Sequence, residues 1–309
     1  AIAPLMHRHE VEPDDVELRT TIRHTDGPAL TPVSPDAKAV FFGASYHADY
    51  ATLLAAPGDL PAAAEALAGY CADVGDPGHP VPWDAVDLRR LRMGDPAADA
   101  LAAAFGSREM AQGWTLNVEP EEVCPVATLP VGGTLDDHLA TLGKKERHEI
   151  RRKVRRAEAV GEVRLDDSSD PLADLPAFID LHQKRWGADG LFPDTEGGEH
   201  SRTFFRRLFE LFPVGGPLRL AFLTVGGQRI AAGVSFQTAD SLLYYNAGVD
   251  PEARDLSPGV LMVERYVRRA LERGLTRMDF LRGDEAYKYE WGAIDEPIRR
   301  LLVRRTEQR

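Results

Sequence analysis

Residues 242–292 read LLYYNAGVDPEARDLSPGVLMVERYVRRALERGLTRMDFLRGDEAYKYEWG. The apolar run at 242–249 predicts a buried strand, and a short polar loop follows it. From Pro258 the apolar side chains recur at helical spacing, which predicts an amphipathic helix that stops at Gly274. The residues on its buried face are Val263, Tyr266, Val267, Ala270 and Leu271. Ser257 suits the N-cap position of this helix and Pro258 its first turn.

The loop before this helix has the composition of an anion site. The first turn of a helix offers backbone N–H groups without helical partners and the positive end of the helix dipole, so it attracts phosphate groups. We therefore predict that the loop binds a pyrophosphate or a nucleotide phosphate. The predicted binding residues are Arg254, Ser257, Pro258, Gly259 and Val260.

The order of elements around the loop constrains the fold. Three segments with strand periodicity precede it, and Gly226-Gly227 and Ala239-Asp240 mark tight turns between them. A further strand, LTRMDFL at 275–281, follows the helix. This β-β-β-α-β order does not occur in the common dinucleotide-binding folds.

The rest of the chain predicts a mixed α/β protein with two domains. Residues 1–34 show no sustained period and are expected to form an irregular arm. Strands and helices then alternate over 35–130, with separate strands at 114–118 and 123–129. Residues 131–309 form the second domain, in which a basic helix at 135–159 connects the halves. Thr134 and Asp137 fit a capping box at the start of that helix.

Composition narrows the functional classes. The chain has 309 residues and a net charge of −12, which argues against DNA binding because phosphate neutralisation supplies most non-specific affinity. Eight basic side chains nevertheless occur within residues 144–156, either as a solvated helix face or as a docking surface for an anion. Cys71 and Cys124 form no motif and are expected to be buried thiols. No metal-ligand pattern, transmembrane run or signal peptide is evident, so a cytoplasmic protein without a metal is expected.

Several segments resemble the GNAT acyltransferase superfamily. Residues 254–259, RDLSPG, match its phosphate loop except that Ser257 replaces a glycine. The segments DFLRGDEAYKYEWG (279–292), GVDPEARDLSPG (248–259), KKERHEIRRKVRRAE (144–158) and HQKRW (182–186) look like the bacterial FemAB-like and CelD-like branch. That resemblance implies tandem GNAT-like units, each a mixed sheet flanked by helices. The first unit has no counterpart of the phosphate loop, so it is expected to be degenerate and to shape the substrate cleft.

The resemblance also implies chemistry. The expected donor is acetyl-CoA or another acyl-CoA, and the expected acceptor is a small amine or a nucleotide- or lipid-linked sugar or peptide precursor. Lys288 is expected to stabilise the oxyanion and Tyr287 to protonate the departing thiolate, as the matching residues do in Fem-type and GNAT enzymes.

Other ionisable residues near the end of the last strand are candidates for further roles. A general base must deprotonate an alkyl amine whose pKa is near 10, and Asp279, Asp284 and Glu285 are candidates. Arg282 can pair with a phosphate or carboxylate of the substrate, where Asp284 is a second binding candidate. Asp49 and Tyr50, in the family-like segment SYHADYATLL at 45–54, are expected to lie in the cleft.

Three alternatives stay open at this point. The cluster RGDEAYK at 282–288 can instead be a salt-bridged turn whose charges cancel locally. A Fem-type transferase would take its donor from aminoacyl-tRNA, with the basic helix touching the RNA, although the acidic total charge weighs against it. A non-catalytic accessory protein of polysaccharide or envelope assembly would retain the fold without the chemistry, and Ser257 in place of glycine keeps that reading open.

Overall fold

The computed structural model describes residues 1–8, 30–34, 36–43, 47–73 and 82–305. Most of the expected N-terminal arm, residues 9–29, lies outside this range, as do Ser45 and Tyr46 of the family-like segment. Inside it, residues Leu5–Arg8 form a strand, so the arm is not irregular throughout. The two free cysteines are buried, as expected.

The described residues contain ten strands and nine α-helices. The strands are β1 Leu5–Arg8, β2 Ala39–Phe42, β3 Ala85–Arg92, β4 Trp114–Thr128, β5 Val163–Asp167, β6 Leu218–Val225, β7 Gln228–Gln237, β8 Ser241–Val249, β9 Arg277–Asp279 and β10 Ile294–Arg305. The helices are α1 Leu60–Ala72, α2 Pro96–Gly106, α3 Glu109–Gln112, α4 Leu135–Thr141, α5 Lys144–Glu158, α6 Pro171–Trp186, α7 Glu196–Leu211, α8 Pro258–Glu272 and α9 Ala286–Glu290.

The chain forms two compact units. The first comprises Ala1–Pro125, Arg282–Glu285 and Asp295–Arg309, and the second comprises Val126–Leu281 and Ala286–Ile294. The sequence expectation assigned everything after residue 130 to the second domain. The difference arises because β10 pairs antiparallel with β3, with Ile298 opposite Arg92. Such a pairing joins residues some two hundred positions apart and leaves no local signal in the sequence.

The first unit is built on strands in the order β1-β2-β3-β10-β4. Its core packs α1 and α2 on this sheet, with Leu67, Leu101 and Phe105 among the buried side chains. Strand β4 is continuous, which corrects the expectation of two separate strands. Pro120 does not interrupt this strand. Most residues in the first half of β4 are exposed or half-exposed, and proline is tolerated at such positions of a strand.

The second unit confirms the predicted β-β-β-α-β order. Its strands lie in the order β9-β8-β7-β6-β5, antiparallel except that β8 and β9 are parallel. The period of two in each strand divides its side chains between two faces. Leu223 and Val225 of β6 pack with α8, whereas Leu220 and Phe222 pack with α6 and α7. The sheet is therefore covered by helices on both faces.

The basic region is two helices, not the single helix expected over 135–159. Helix α4 has the predicted capping box between Thr134 and Asp137. It ends at Thr141, and its C-cap residue Leu142 has an extended backbone. Gly143 is the N-cap of α5. Helix α5 is held to the core by Ile150 and Ala157, which lie seven residues apart on one face.

Strand β8 and helix α6 approach each other closely at Gly248. A Cβ atom added there would lie 2.3 Å from the backbone nitrogen of His182 and 2.5 Å from the carbonyl carbon of Leu181. Backbone atoms cannot yield as a flexible side chain can. Only glycine therefore fits at this position of the strand.

Replacing Gly248 with alanine should lower the free energy of unfolding by about 2 kcal/mol or more, because helix α6 must shift to admit the methyl group. Denaturant unfolding of purified protein measures this. Gly259→Ala is the matched control: its Cβ would meet no atom within 4 Å, and alanine in a helix should stabilise by up to about 1 kcal/mol. Equal effects of the two changes would contradict the packing described.

Candidate functional site

The second unit has an open edge between β8 and β9. The parallel register joins Ser241–Leu243 to Arg277–Asp279 and stops there, whereas β8 continues to Val249. In the described part of the chain no other strand pairs with that side of β8 beyond Leu243. Because parallel strands end at the same edge of a sheet, the segments that follow β8 and β9 emerge at this edge together.

A β-bulge marks the same part of β8. Tyr244 pairs with Ser235 and Asn246 with Val234, so Tyr245 is the extra residue. Tyr244 and Tyr245 lie on opposite faces of the sheet, as neighbouring residues of a strand do. Tyr244 packs against Tyr266 of α8 with ring centroids 5.3 Å apart, and Tyr245 stacks on Phe205 at 5.8 Å.

The loop after β8 leads directly into α8. Asp250 accepts a hydrogen bond from the Glu252 N–H and is the N-cap of a short 3-10 helix over Pro251–Leu256. Ser257 then adopts the left-handed conformation, with φ of 56° and ψ of 55°. Its carbonyl oxygen accepts from the N–H groups of Val260 and Leu261, which starts the helix.

Ser257 is the N-cap residue by position, but its side chain does not cap the helix. Its Oγ accepts a hydrogen bond of 2.8 Å from Arg156 Nη2 of α5. Ser257 thus occupies the predicted N-cap position, but its left-handed backbone differs from the β-region geometry of capping serines, and its side chain makes no cap hydrogen bond. Arg156 belongs to the basic segment, yet no sequence signal pairs it with a residue 101 positions away.

Positive charge collects at this helix start. Arg156 and Arg254 are exposed, and among the described residues no carboxylate lies within 4 Å of either guanidinium group. Pro258 has no N–H, and the position of Gly259 leaves open space where a side chain would be. The first turn of α8 thus has the charge and the room that an anion requires.

The segment after β9 carries the predicted chemistry. Asp279 is fully buried, and its Oδ1 accepts a hydrogen bond of 2.8 Å from the Leu281 N–H. Leu281 has a φ of 58°, and its carbonyl oxygen accepts a hydrogen bond of 3.1 Å from Lys288 Nζ. Asp279 thereby ends the strand and shapes the turn. Lys288 is 2% exposed, so its ammonium group is held in a protein interior rather than in water.

Aromatic rings connect this segment to β8. The Tyr287 ring lies 6.1 Å from that of Phe280, which lies 6.5 Å from that of Tyr244. Burial, with smaller effects of the Tyr287 and Tyr266 phenols, raises the pKa of Tyr244 well above its ordinary value. Tyr244 is thus a buried phenol beside Tyr266 and Phe280, whereas the sequence predicts only a residue of an apolar strand.

The remaining predicted residues belong to the first unit. Arg282 Nε donates a hydrogen bond of 2.8 Å to Asp49 Oδ1, which brings together two residues 233 positions apart. Tyr50 lies beneath the Arg92 guanidinium, 3.8 Å from its ring centroid. Asp284 is buried and Glu285 half-buried.

Charges that the sequence did not single out surround Arg282. Glu122 Oε1 lies 3.8 Å from Arg282 Nη1 and 3.6 Å from Arg90 Nη1, and Arg90 also pairs with Glu121. Burial opposes the charged form of Arg282, but the Asp49 and Glu122 carboxylates outweigh it and raise its pKa. Arg282, Asp284 and Lys288 of the cluster at 282–288 are buried, and Arg282 forms ion pairs with Asp49 and Glu122, which lie outside the cluster.

One segment of the chain matches a known protein family. Residues 144–289 match the family model described as an acetyltransferase (GNAT) domain, and the matched segment includes α8, its loop and Lys288. The predicted resemblance is thus confirmed. A comparison with curated protein sequences finds no match.

Solved structures share the fold over most of the chain. The crystal structure of FemX is 11% identical, covers 85% of this chain and 80% of its own, and superposes with a TM-score of 0.56. A conserved protein of unknown function from Bacteroides thetaiotaomicron VPI-5482 is 12% identical, with 79% and 76% coverage and a TM-score of 0.52. At such identities the likeness concerns the fold, which confirms the predicted mixed α/β architecture with GNAT-like units.

The described residues contain no group of three or more His, Cys, Asp or Glu side chains placed to hold a metal ion. None of their helices has both the length and the apolar character needed to span a membrane.

His182 provides a pH-dependent test of the packing beneath β8. Burial lowers its pKa to about 4 from 6.5, against a weak hydrogen bond to Gln183. Between these two values the unfolded chain binds a proton that the folded chain does not. The stability should therefore fall as the pH decreases from 6.5 to about 4, by up to about 3 kcal/mol.

Urea unfolding at several pH values between 7 and 4 measures this contribution as the difference between variants. His182→Gln should show a shallower loss than the parent protein, and His200→Gln, which changes an exposed histidine, should keep the parent's slope. A parallel pH profile of the parent and His182→Gln would exclude the proposed origin.

Proposed function

We propose that the protein is an acyl-CoA-dependent N-acyltransferase that transfers an acetyl or longer acyl group to an amine. The observation that carries the proposal is the match of residues 144–289 to the GNAT domain, together with the anion-binding geometry at the start of α8. The open edge beyond Leu243 and Asp279 provides a place for an extended donor chain beside β8.

In this proposal the α8 loop holds the donor. Backbone N–H groups of the first turn and the Arg254 guanidinium bind the pyrophosphate, and Gly259 lets it approach the helix end closely. The loop residues Arg254, Ser257, Pro258, Gly259 and Val260 act together. Their contribution is to bind and orient the thioester, which lowers the entropic cost of the reaction.

The chemical step is attack of a neutral amine nitrogen on the thioester carbonyl carbon. A C–N bond forms, the C–S bond breaks, one proton leaves the nitrogen and one reaches the sulfur. Lys288 stabilises the negative charge that develops on the carbonyl oxygen, and Tyr287 donates the proton to the thiolate. Glu285 is the preferred general base, since Asp279 already accepts a hydrogen bond from Leu281.

Acceptor binding is assigned to residues of the first unit. Arg282, Asp284, Asp49 and Tyr50 combine a buried, fixed guanidinium with carboxylates and an aromatic ring, groups suited to an amine that carries further polar substituents. A small-molecule amine is the primary candidate, and a nucleotide- or lipid-linked sugar or peptide precursor is the larger alternative. Use of acyl-CoA implies a cytoplasmic reaction.

A Fem-type transfer from aminoacyl-tRNA is the second candidate. The FemX-like fold and the many basic residues of α5 favour it, whereas the net charge of −12 does not. A filter-binding assay separates the two, because tRNA affinity should fall steeply with salt.

A non-catalytic accessory role predicts that neither acyl-CoA nor aminoacyl-tRNA supports turnover with any amine acceptor.

Gly259→Asp should abolish acyl-CoA binding, because it places a negative charge at the positive end of α8. The substituted protein should fold, since the added Cβ meets no atom within 4 Å. Calorimetric titration with acetyl-CoA measures the effect. Gly259→Asn has nearly the same shape without the charge and should retain most of the affinity. Unchanged affinity in a folded Gly259→Asp protein would remove the anion site from the proposal.

Lys288→Met should lower turnover by about a hundredfold or more and leave donor affinity within a few-fold, as the loss of an oxyanion stabiliser does. Steady-state kinetics and calorimetry measure the two quantities, with a melting curve to confirm folding. Lys184→Met is the control for losing an ordinary lysine, since Lys184 forms an exposed ion pair with Asp180 at 3.3 Å. Normal turnover of a folded Lys288→Met protein would assign Lys288 a purely structural role.

A further inference from the structure

Over residues 144–156, helix α5 exposes only basic side chains. The acidic residues of this range, Glu146 and Glu149, are half-buried, and Ile150 is buried in the core. His148 is exposed but has no permanent charge. The other exposed residues form what we call the basic face, which consists of Lys144, Lys145, Arg151, Arg152, Arg155 and Arg156.

The basic face is long and two rows of side chains wide. Helical spacing places Arg151 and Arg155 in one row with Lys144, and the remaining three cations form the neighbouring row. Lys144 and Arg155 lie eleven residues apart, which is about 16 Å along the helix axis. A single small anion cannot contact both ends at once. The complementary partner is therefore an extended surface of negative charge.

Most of this positive charge is not compensated inside the protein. Arg151 pairs with Asp136 at 2.7 Å and Arg152 with Glu149 at 2.8 Å, but both pairs are exposed, and exposed ion pairs are weak. Three cations of the basic face have no carboxylate within 4 Å among the described residues, namely Lys144, Lys145 and Arg155.

The same arrangement is unfavourable for the helix by itself. Lys144 and Lys145 lie in the first turn, where the positive end of the helix dipole disfavours cations. Arg151 and Arg155 are like charges one turn apart, which also destabilises a helix. Burial of Ile150 in the core holds α5 in place despite this repulsion. A polyanion on the basic face removes both sources of repulsion.

We propose that the basic face docks the protein on an anionic lipid bilayer. Lipid phosphates form a flat negative surface that both rows of cations can contact together. The chain as a whole carries a net charge of −12, so such a membrane attracts this face and repels the remainder, which orients the protein. Val160, just after the helix, is 65% exposed, and a bilayer interface accepts an apolar side chain of this kind.

RNA is the competing polyanion, and two features of the chain favour the bilayer. Helix α5 has no aromatic residue on which an unpaired base could stack. A folded RNA also extends beyond a single helix face and meets the acidic remainder of the protein, whereas a flat bilayer contacts only the face turned towards it. The docking proposal does not depend on the proposed transferase chemistry.

Sedimentation with lipid vesicles tests the proposal. The chain should bind vesicles of phosphatidylcholine that contain about one-third phosphatidylglycerol, and not vesicles of phosphatidylcholine alone. Binding should be lost in about 1 M salt, where the Debye length is only about 3 Å. The triple variant Lys144→Gln, Lys145→Gln, Arg155→Gln should bind about a hundredfold more weakly, since each cation near an anionic surface contributes about fivefold.

The matched control is the triple variant Lys184→Gln, Arg206→Gln, Arg207→Gln. These residues are exposed on α6 and α7, which cover the opposite face of the sheet from α5 and α8. The control loses the same amount of charge and should keep the affinity of the parent protein within a few-fold. Melting curves confirm that both variants fold, as expected for substitutions of exposed side chains.

The outcomes are distinct. Failure to bind the anionic vesicles overturns the proposal, as does equal binding to neutral vesicles or an equal loss in the two triple variants. Filter binding with unfractionated tRNA, lost in the α5 variant and without vesicle binding, assigns the basic face to nucleic acid and also overturns it. Turnover of a soluble amine is a separate assay, so neither result decides the acyltransferase proposal.

Discussion

The early end of the β8–β9 pairing is the constraint on which the second unit's geometry depends. Asp279 accepts a hydrogen bond from the Leu281 N–H, and the left-handed backbone of Leu281 turns the chain out of the sheet. Strand β8 continues for six residues beyond this point, supported on its other side by β7. One short turn thus opens the sheet edge and places Lys288 where it donates to Leu281 O.

Glycine and the bulge adapt β8 to this position. Gly248 lets α6 approach the strand within backbone contact, and at Tyr245 the bulge adds one residue to β8 opposite β7. Each feature is locally unfavourable: glycine loses more conformational entropy on folding than other residues, and a bulge leaves its extra residue unpaired in the sheet. They are explained if the strand must present its last residues and the following loop in one fixed geometry.

The two units use charge in different ways. The first unit buries Arg90, Arg282, Glu121 and Glu122 in contact with one another, so most of their charge is compensated inside the protein. Burying such groups is unfavourable unless they are paired, and breaking a pair leaves an isolated buried charge. At the start of α8 the guanidinium groups are instead exposed and have no acidic partner among the described residues. The buried ion pairs hold their side chains in place, whereas the exposed guanidinium groups at the start of α8 attract an anion.

Local signals in the sequence determined the elements of the second unit. Strand periodicity, two glycine- or aspartate-containing turns, the helical spacing from Pro258 and the stop at Gly274 fixed the β-β-β-α-β order, because each depends on residues close in the chain. The phosphate-type loop could be named for the same reason, whereas Tyr287 and Lys288 were named from the resemblance to Fem-type and GNAT enzymes. A break at Gly143 and the continuity of β4 through Pro120 were missed, since packing outweighed weak local preferences there.

Contacts between distant residues were decided only by the tertiary structure. The pairing of β10 with β3, the Arg282–Asp49 hydrogen bond and the buried charges around Arg282 depend on which segments the fold brings together. The Arg156–Ser257 hydrogen bond is of the same kind, and it joins the N-cap residue of α8 to the basic helix α5. The sequence by itself determined which local structures and reactive side chains the protein has, because these follow from neighbouring residues. The partners of those side chains were set by the tertiary structure, because hydrogen bonds and ion pairs require proximity in space and the chain's local pattern carries no record of it.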